Sequence, residues 1–211
     1  MIVFASPKKQ APKGSIIINC TSISSDWGRN LSPMLSNSAP LHLYGYNIQT
    51  VENGWQYSRI YETHNDFAQW DIWRKEGYAN PKGNRYPMGK GAKPLCSYIC
   101  KTLGKLDWVE SRKKIYLPLY FQKLERFCWE EIQKCIKLIE SEPIVYLWDF
   151  DVSNDFASFD VALNNTNRSL GHGYLLVDYL ARLTGKDFYK ELSESSHFTG
   201  STTHANDIIS G

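Results

Sequence analysis

The strongest constraint on the fold lies between Cys128 and Trp148. Cys128, Ile132, Cys135, Ile136 and Ile139 recur at the period of one helix face, Pro143 forbids continuation, and Ile144 to Trp148 reads I-V-Y-L-W. Such a pattern predicts a core helix followed by a short buried strand or extended run. Other segments mix the two periods in the same way. Ile16 to Asn19 reads as a buried strand, and Leu41 to Ile48 as a hairpin turning near Gly45, together suggesting one small sheet. Asp66 is placed to cap a helix running through Trp70 and Trp73 toward Gly77. Asp107 and Glu110 form a capping box that opens a long helical region, which Pro118 should kink or divide. Leu175, Leu176, Tyr179, Leu180 and Leu183 mark a further helix that Gly185 can cap.

These elements predict an α+β fold, a mainly α-helical single domain with a small β-sheet or hairpin, and 211 residues suit one such domain. The expected boundaries are an extended N-terminal arm over 1–14, Lys/Pro-rich from Pro7 to Gly14, a domain over 15–194, and a flexible tail over 195–211. The tail is expected from its Ser/Thr/His/Gly content and near lack of apolar residues.

Seven Trp and thirteen Tyr favour clefts that stack and hydrogen-bond flat or hydroxylated ligands, for which sugars and bases are natural partners. A net charge of +2 does not make the concentrated basic face of a duplex binder, but leaves a phosphate-bearing small ligand open. Five cysteines without C-x-x-C or Cys/His zinc spacing point to a reducing cytoplasm and to no metal site. The start M-I-V-F-A-S-P-K-K lacks a basic n-region, so no signal peptide is expected, and no stretch approaches a membrane span.

Three stretches carry candidate chemistry. Thr50 reads as an N-cap that puts Glu52 in the first helical turn, with Glu52, Gln56 and Arg59 on one face. Beside the loop of Trp27, Arg29 and Asn30, this suits a polyol or nucleoside site. The same pattern also describes a capped amphipathic helix whose glutamate serves the dipole. Asn80 to Pro94 sets Lys82, Arg85, Lys90 and Lys93 among glycines and prolines, which fits phosphate binding or a solvated loop, and it contains no Walker motif. D-F-D-V-S-N-D-F-A-S-F-D crowds Asp149, Asp151, Asp155 and Asp160. Crowded carboxylates must be solvated, hydrogen-bonded or faced by cations, and crowding can raise one pKa toward use as an acid. Their spacing is not that of an EF-hand.

Taken in order, N-L-S-P, the hairpin, T-V-E-N-G-W-Q, M-G-K-G-A-K-P, D-W-V-E-S-R-K-K-I-Y, the N-D pair Asn154 and Asp155, and L-G before a Leu-rich helix resemble the NADAR family, the YbiA-like N-glycosidases. The resemblance spans roughly Ile16 to Leu183. It implies a mostly helical domain that hydrolyses C1′–N bonds, in riboflavin-pathway intermediates or between ADP-ribose and guanine, without a cofactor. Glu52 would match the family's helix-start glutamate and Asp155 the aspartate of its N-D motif. The chain departs from the pattern where Phe156 to Phe159 replace an aromatic-Gly and where N-R-S-L-G-H-G replaces N-x-L-G. Asp149 or Asp151 is therefore the alternative to Asp155.

By the same resemblance Trp27, Trp55 or Trp148 would stack on the base, and Arg85, Lys90 and Lys93 would hold phosphate. Arg29, Asn30, Gln56, Arg59, Asn167 and Gly171 complete the expected binding set. A lysine attacking an opened ribose is a further option. The ligand would be a phosphorylated nucleoside or ADP-ribose-type molecule, with nucleic acid a partner only as an ADP-ribosylated substrate. A nucleotide-sequestering protein with the same pocket is the alternative function, and a partner-binding domain a third.

Overall fold

The structure, a computed structural model, describes residues 1–189, so the expected tail over 195–211 and the end of the expected 15–194 domain lie outside the described residues. Strands β1 (Ile2–Ala5) and β2 (Ile17–Asn19) flank β8 (Val145–Trp148) in a parallel sheet of order β1-β8-β2. Ile2 pairs with Val145 and Ala5 with Trp148 on one side, and Ile17 with Tyr146 and Asn19 with Trp148 on the other. Ile2, Phe4, Ile18, Val145 and Leu147 are buried, as expected of strands covered by helices.

This corrects two expectations. Ile2–Ala5 is a core strand and not part of an arm over 1–14; four residues are too few to display a period, and their partner lies far along the chain. The Ile16 to Asn19 strand joins β8 and not the hairpin. That hairpin, β3 (Leu41–Leu43) and β4 (Tyr46–Ile48), makes a sheet of its own, turning through Tyr44 and Gly45 at φ 47 and 85. Two successive positive φ values are the signature of a two-residue hairpin turn whose twist matches the strands.

Helix α1 (Val51–Tyr57) follows at once, its N-terminus capped by the Thr50 hydroxyl, which accepts from Asn53 N at 3.0 Å. All seven of its residues are buried. A third sheet joins β5 (Arg59–Ile60), β6 (Cys96–Tyr98) and β7 (Lys105–Leu106), antiparallel throughout. Between β5 and β6 runs α2 (Phe67–Ala79), capped by Asp66 as expected.

Asp107 caps α3 (Trp108–Ser111) by accepting from Glu110 N. The wider π-helical turn Arg112–Tyr116 then leads into α4 (Leu117–Phe127), with Leu117 N donating to Arg112 O five residues back. Proline lacks an N–H for the ordinary ladder, and the wide turn places Pro118 in the opening turn of α4, where that loss is harmless.

Helix α5 (Trp129–Ser141) buries Ile132, Cys135 and Ile139, the face its period predicted. After β8, α6 (Phe159–Asn164) precedes α7 (His172–Thr184), which packs on α4, α5 and α6 and ends at Gly185 in the left-handed conformation. Buried Arg112 donates to the carbonyls of Leu163, Asn165 and Arg168, fixing the α6–α7 connection. Burial, with Arg59 nearby, lowers its pKa to about 10. No described helix is long and apolar enough to cross a membrane.

Candidate functional site

The cleft is organised around α1. Glu52 N donates to Pro33 O at 3.0 Å, tying the helix start to the N-L-S-P segment. Glu52 is buried, and Gln56 Nε2 donates to its Oε1 at 2.8 Å. Burial raises the Glu52 pKa, opposed by that hydrogen bond and by Arg59, Arg85 and His172. A cavity of about 260 Å³ opens beside it, bounded by Trp55, Gln56 and Arg59 on one side, Arg85 and Tyr86 on another, and Asp149 to Asp151 with Gly171 and His172 on a third.

Arg59 forms part of the aromatic wall. Its guanidinium carbon lies 4.6 Å from the Trp55 ring centre and 4.9 Å from that of Trp108, and its buried Nε has no hydrogen-bond partner. Burial lowers its pKa, but a guanidinium remains charged at any ordinary pH. Tyr116 packs on Trp55 at 5.3 Å. Its hydroxyl is raised well above the usual range by burial, then by Glu52, Asp149 and Asp151. The cleft thus presents flat apolar faces with one deep cation.

Opposite α1, the end of β8 delivers two carboxylates with different surroundings. Asp149 Oδ1 accepts from Phe150 N at 2.7 Å, and Oδ2 accepts from Gly173 N at 3.0 Å and lies 3.2 Å from His172 Nδ1. The other ring nitrogen of His172, Nε2, is 2.7 Å from Cys20 O. Asp149 therefore caps α7 and fixes the imidazole, leaving little of it to meet a ligand. A Cβ on Gly171 would stand 2.6 Å from both Asp149 Oδ2 and Asp151 O, so only glycine allows this approach.

Asp151 faces the opening. Its Oδ2 is 2.5 Å from Arg85 Nη2, and a third of its side chain is exposed. Burial raises its pKa, Arg85 pulls it down, and Asp149 pushes it up again. The cleft therefore holds two carboxyl groups with raised proton affinity, Glu52 and Asp151, on facing elements.

Asp155 is elsewhere, which corrects its expected pairing with Glu52. It does not line this cleft; its carboxylate is largely exposed, 2.8 Å from Arg168 Nη1, which holds its pKa below the usual range. The cause lies one residue earlier. Asn154 Oδ1 accepts from Phe4 N at 2.8 Å and its Nδ2 donates to Phe4 O at 2.9 Å, so the N-D pair is anchored to the edge of β1.

Of the other expected residues, Gln56, Arg59, Arg85 and Gly171 line the cleft. Trp27, Arg29 and Asn30 form a 3-10 turn capped by Asp26 and do not reach it. Arg29 Nε donates to Ser22 O, Asn30 Nδ2 to Glu131 Oε1, and Trp27 lies against Lys134. Trp148 packs on Phe150 outside the lining, and Asn167 is exposed outside it too. Lys90 and Lys93 are exposed and do not touch the cleft.

Sequence reasoning passed over Trp108, Tyr116, Tyr86, Phe150 and His172, all of which line it. A signal existed for His172, which lies between two glycines at a helix start, and for Trp108, which directly follows the Asp107 cap. Among the described residues no group of three or more His, Cys, Asp or Glu side chains is placed to hold a metal ion. No protein-family profile, curated protein or solved structure matches this chain.

Proposed function

We propose that this protein is a cytoplasmic N-glycosidase that hydrolyses the C1′–N bond of a ribosylated or ADP-ribosylated base. The observation that carries this reading is that Glu52 and Asp151, both with raised carboxyl pKa, face one aromatic-walled cleft that also holds Arg59 and Arg85. N-glycoside cleavage passes through an oxocarbenium-like transition state, for which paired carboxyl groups are the usual solution.

In this mechanism the protonated fraction of Glu52 gives its proton to the departing base as the C1′–N bond breaks and its electron pair leaves with nitrogen. The Asp151 carboxylate stabilises the cationic sugar and takes a proton from the water that attacks C1′. Trp55, Trp108 and the Arg59 guanidinium that lies over both rings form the wall against which the base would lie. Asp149, held by two backbone N–H groups and 3.2 Å from His172 Nδ1, orients His172 and the start of α7 without joining the chemistry.

The Arg85–Asp151 ion pair favours a second reading, a nucleotide-sequestering protein, because it occupies the carboxylate that hydrolysis requires. Both readings need the same contacts to base and phosphate; only hydrolysis needs charge complementary to the transition state. Incubation with ADP-ribosylated guanosine or a ribosylated pyrimidine, followed by denaturation and chromatography, separates them. Free base and a sugar phosphate or ADP-ribose support the glycosidase; a tightly held ligand recovered intact after long incubation establishes sequestration instead.

A further inference from the structure

A second cavity, of about 510 Å³, opens on the far side of Phe150 and Asp151. The two cavities share Phe150, Asp151 and Ser169 as a common wall, so a ligand lying against Glu52 can cross that rim and continue into the second. The first cavity, about 260 Å³, is small for a whole nucleotide, since sites for ligands of drug size span roughly 300–1,000 Å³. A base and its ribose take up that space, and groups attached at the 5′ carbon must lie beyond it.

What lies beyond carries three cations against two carboxylates, Asp151 and Asp155. Lys8, Lys9 and Arg168 line the second cavity over a floor that includes Phe4, Val152 and Tyr174. Arg168 Nη1 is engaged by Asp155 at 2.8 Å and by Ser153 Oγ at 3.1 Å, which holds the guanidinium in place. Lys8 and Lys9 are exposed and form no ion pair with a described residue. Their turn is closed by the backbone, Ser6 N to Lys9 O at 2.9 Å and Lys9 N to Ser6 O at 3.0 Å, which fixes their stems at the rim, while the Lys9 charge is also felt by Asp155. Lys90 and Lys93, the cations expected to hold phosphate, line neither cavity.

We propose that the second cavity is the phosphate subsite of the same site, taking the 5′-pyrophosphate of a nucleoside-diphosphate-type ligand on Lys8, Lys9 and Arg168. It rests on the reading of the first cleft as a nucleoside site, but not on hydrolysis there. Two lysines and an arginine from two segments, spread around a cavity larger than the first, suit two linked phosphates better than one.

The test is calorimetric titration of guanosine and guanosine 5′-diphosphate into the full chain and into a Lys8→Gln/Lys9→Gln variant. Both lysines are exposed, so the variant's melting temperature should match that of the wild type. Wild type should bind the diphosphate more tightly than the nucleoside. The variant should lose about tenfold in diphosphate affinity while its guanosine affinity changes less than about twofold. An unchanged diphosphate affinity, or an equal loss for both ligands, overturns the proposal. So does a short oligonucleotide that binds through the same lysines more tightly than the diphosphate. Because the readout is binding, diphosphate selectivity without any hydrolysis removes the glycosidase and leaves the subsite. Hydrolysis of an ADP-ribosylated base with an unchanged KM in the variant does the reverse.

Discussion

Arg85, on the glycine-rich segment after α2, places its Nη2 2.5 Å from Oδ2 of Asp151, at the end of the sheet that starts the chain. The pair spans the mouth of the cleft, and both side chains remain more than a third exposed. Ion pairs so open to solvent contribute about 0–1 kcal/mol, little enough for an incoming ligand to part them. Under the proposed function, parting the pair would free Asp151 to face the sugar, so the contact would bear on access to the site more than on holding the fold.

Glu52 and Asp151 should separate from Asp155, which lies outside the cleft. Glu52→Gln and Asp151→Asn should each reduce glycosidase turnover by about a hundredfold or more while the protein stays folded, the scale expected of positioned acid–base groups. Asp155→Asn should keep nearly full turnover. Single-turnover rates measured on all three decide it; loss in Asp155→Asn with full activity in Asp151→Asn would reverse the assignment.

Burial of Glu52 also has a pH signature. Its folded-state pKa is raised above the ordinary value of 4.5, so the folded chain binds more protons than the unfolded chain in the window above that value. The stability this group contributes is therefore fully present below pH 4.5 and is lost as pH rises through the folded pKa. Glu52→Gln removes the buried charge, so it should melt above wild type at pH 7, with the difference shrinking toward pH 4. Calorimetric scans between pH 4 and pH 7 test this, and a pH-independent difference would show that burial is not the cause.

Cations on the glycine-rich segment should not be equivalent. Arg85→Gln should weaken binding of a nucleoside and its diphosphate alike, because Arg85 lines the first cleft and not the second cavity. Lys90→Gln/Lys93→Gln should leave affinity within about twofold, as expected of exposed charges that interact through screened solvent. Titration with a nucleoside diphosphate at two ionic strengths distinguishes them.

One helix contact should tolerate no added methyl group. A Cβ at Gly77 of α2 would stand 2.0 Å from Cδ1 of Tyr57 in α1, whose buried ring also packs on Trp73 at a centroid distance of 4.5 Å. Gly77→Ala should therefore destabilise the chain by about 1–3 kcal/mol through overpacking, despite the better helix propensity of alanine. Urea denaturation at equilibrium measures the change, and a stability gain would refute the close packing of α1 on α2.

What the sequence reveals here is what neighbours a few residues apart decide. Thr50 and Asp66 cap their helices, Gly45 turns its hairpin, and Ile132, Cys135 and Ile139 face the core, because each depends only on local spacing. Glu52, Gln56 and Arg59 in the cleft were legible for the same reason, whereas Arg85 was legible only together with Lys82, Lys90 and Lys93, which do not line it. The choice among Asp149, Asp151 and Asp155 was not. It depends on Asn154 bonding Phe4 and on Gly171 letting Asp149 reach α7, contacts between residues far apart in sequence. Ile2–Ala5 escaped detection likewise, since its role is set by β8.

The order β1-β8-β2 also governs when the fold can form. Strands β1 and β2 do not pair with each other and are joined in the sheet only through a strand made some 130–140 residues later, a separation of the kind that slows folding. During synthesis Ile2, Phe4 and Ile18 must wait for residues 145–148 while the hairpin and α1 can already assemble. For that interval the early strands present unpaired edges, the surface from which misfolding and aggregation begin. Helper proteins at the ribosome would therefore have most to do around β1 and β2, well before the cleft between α1 and the end of β8 exists.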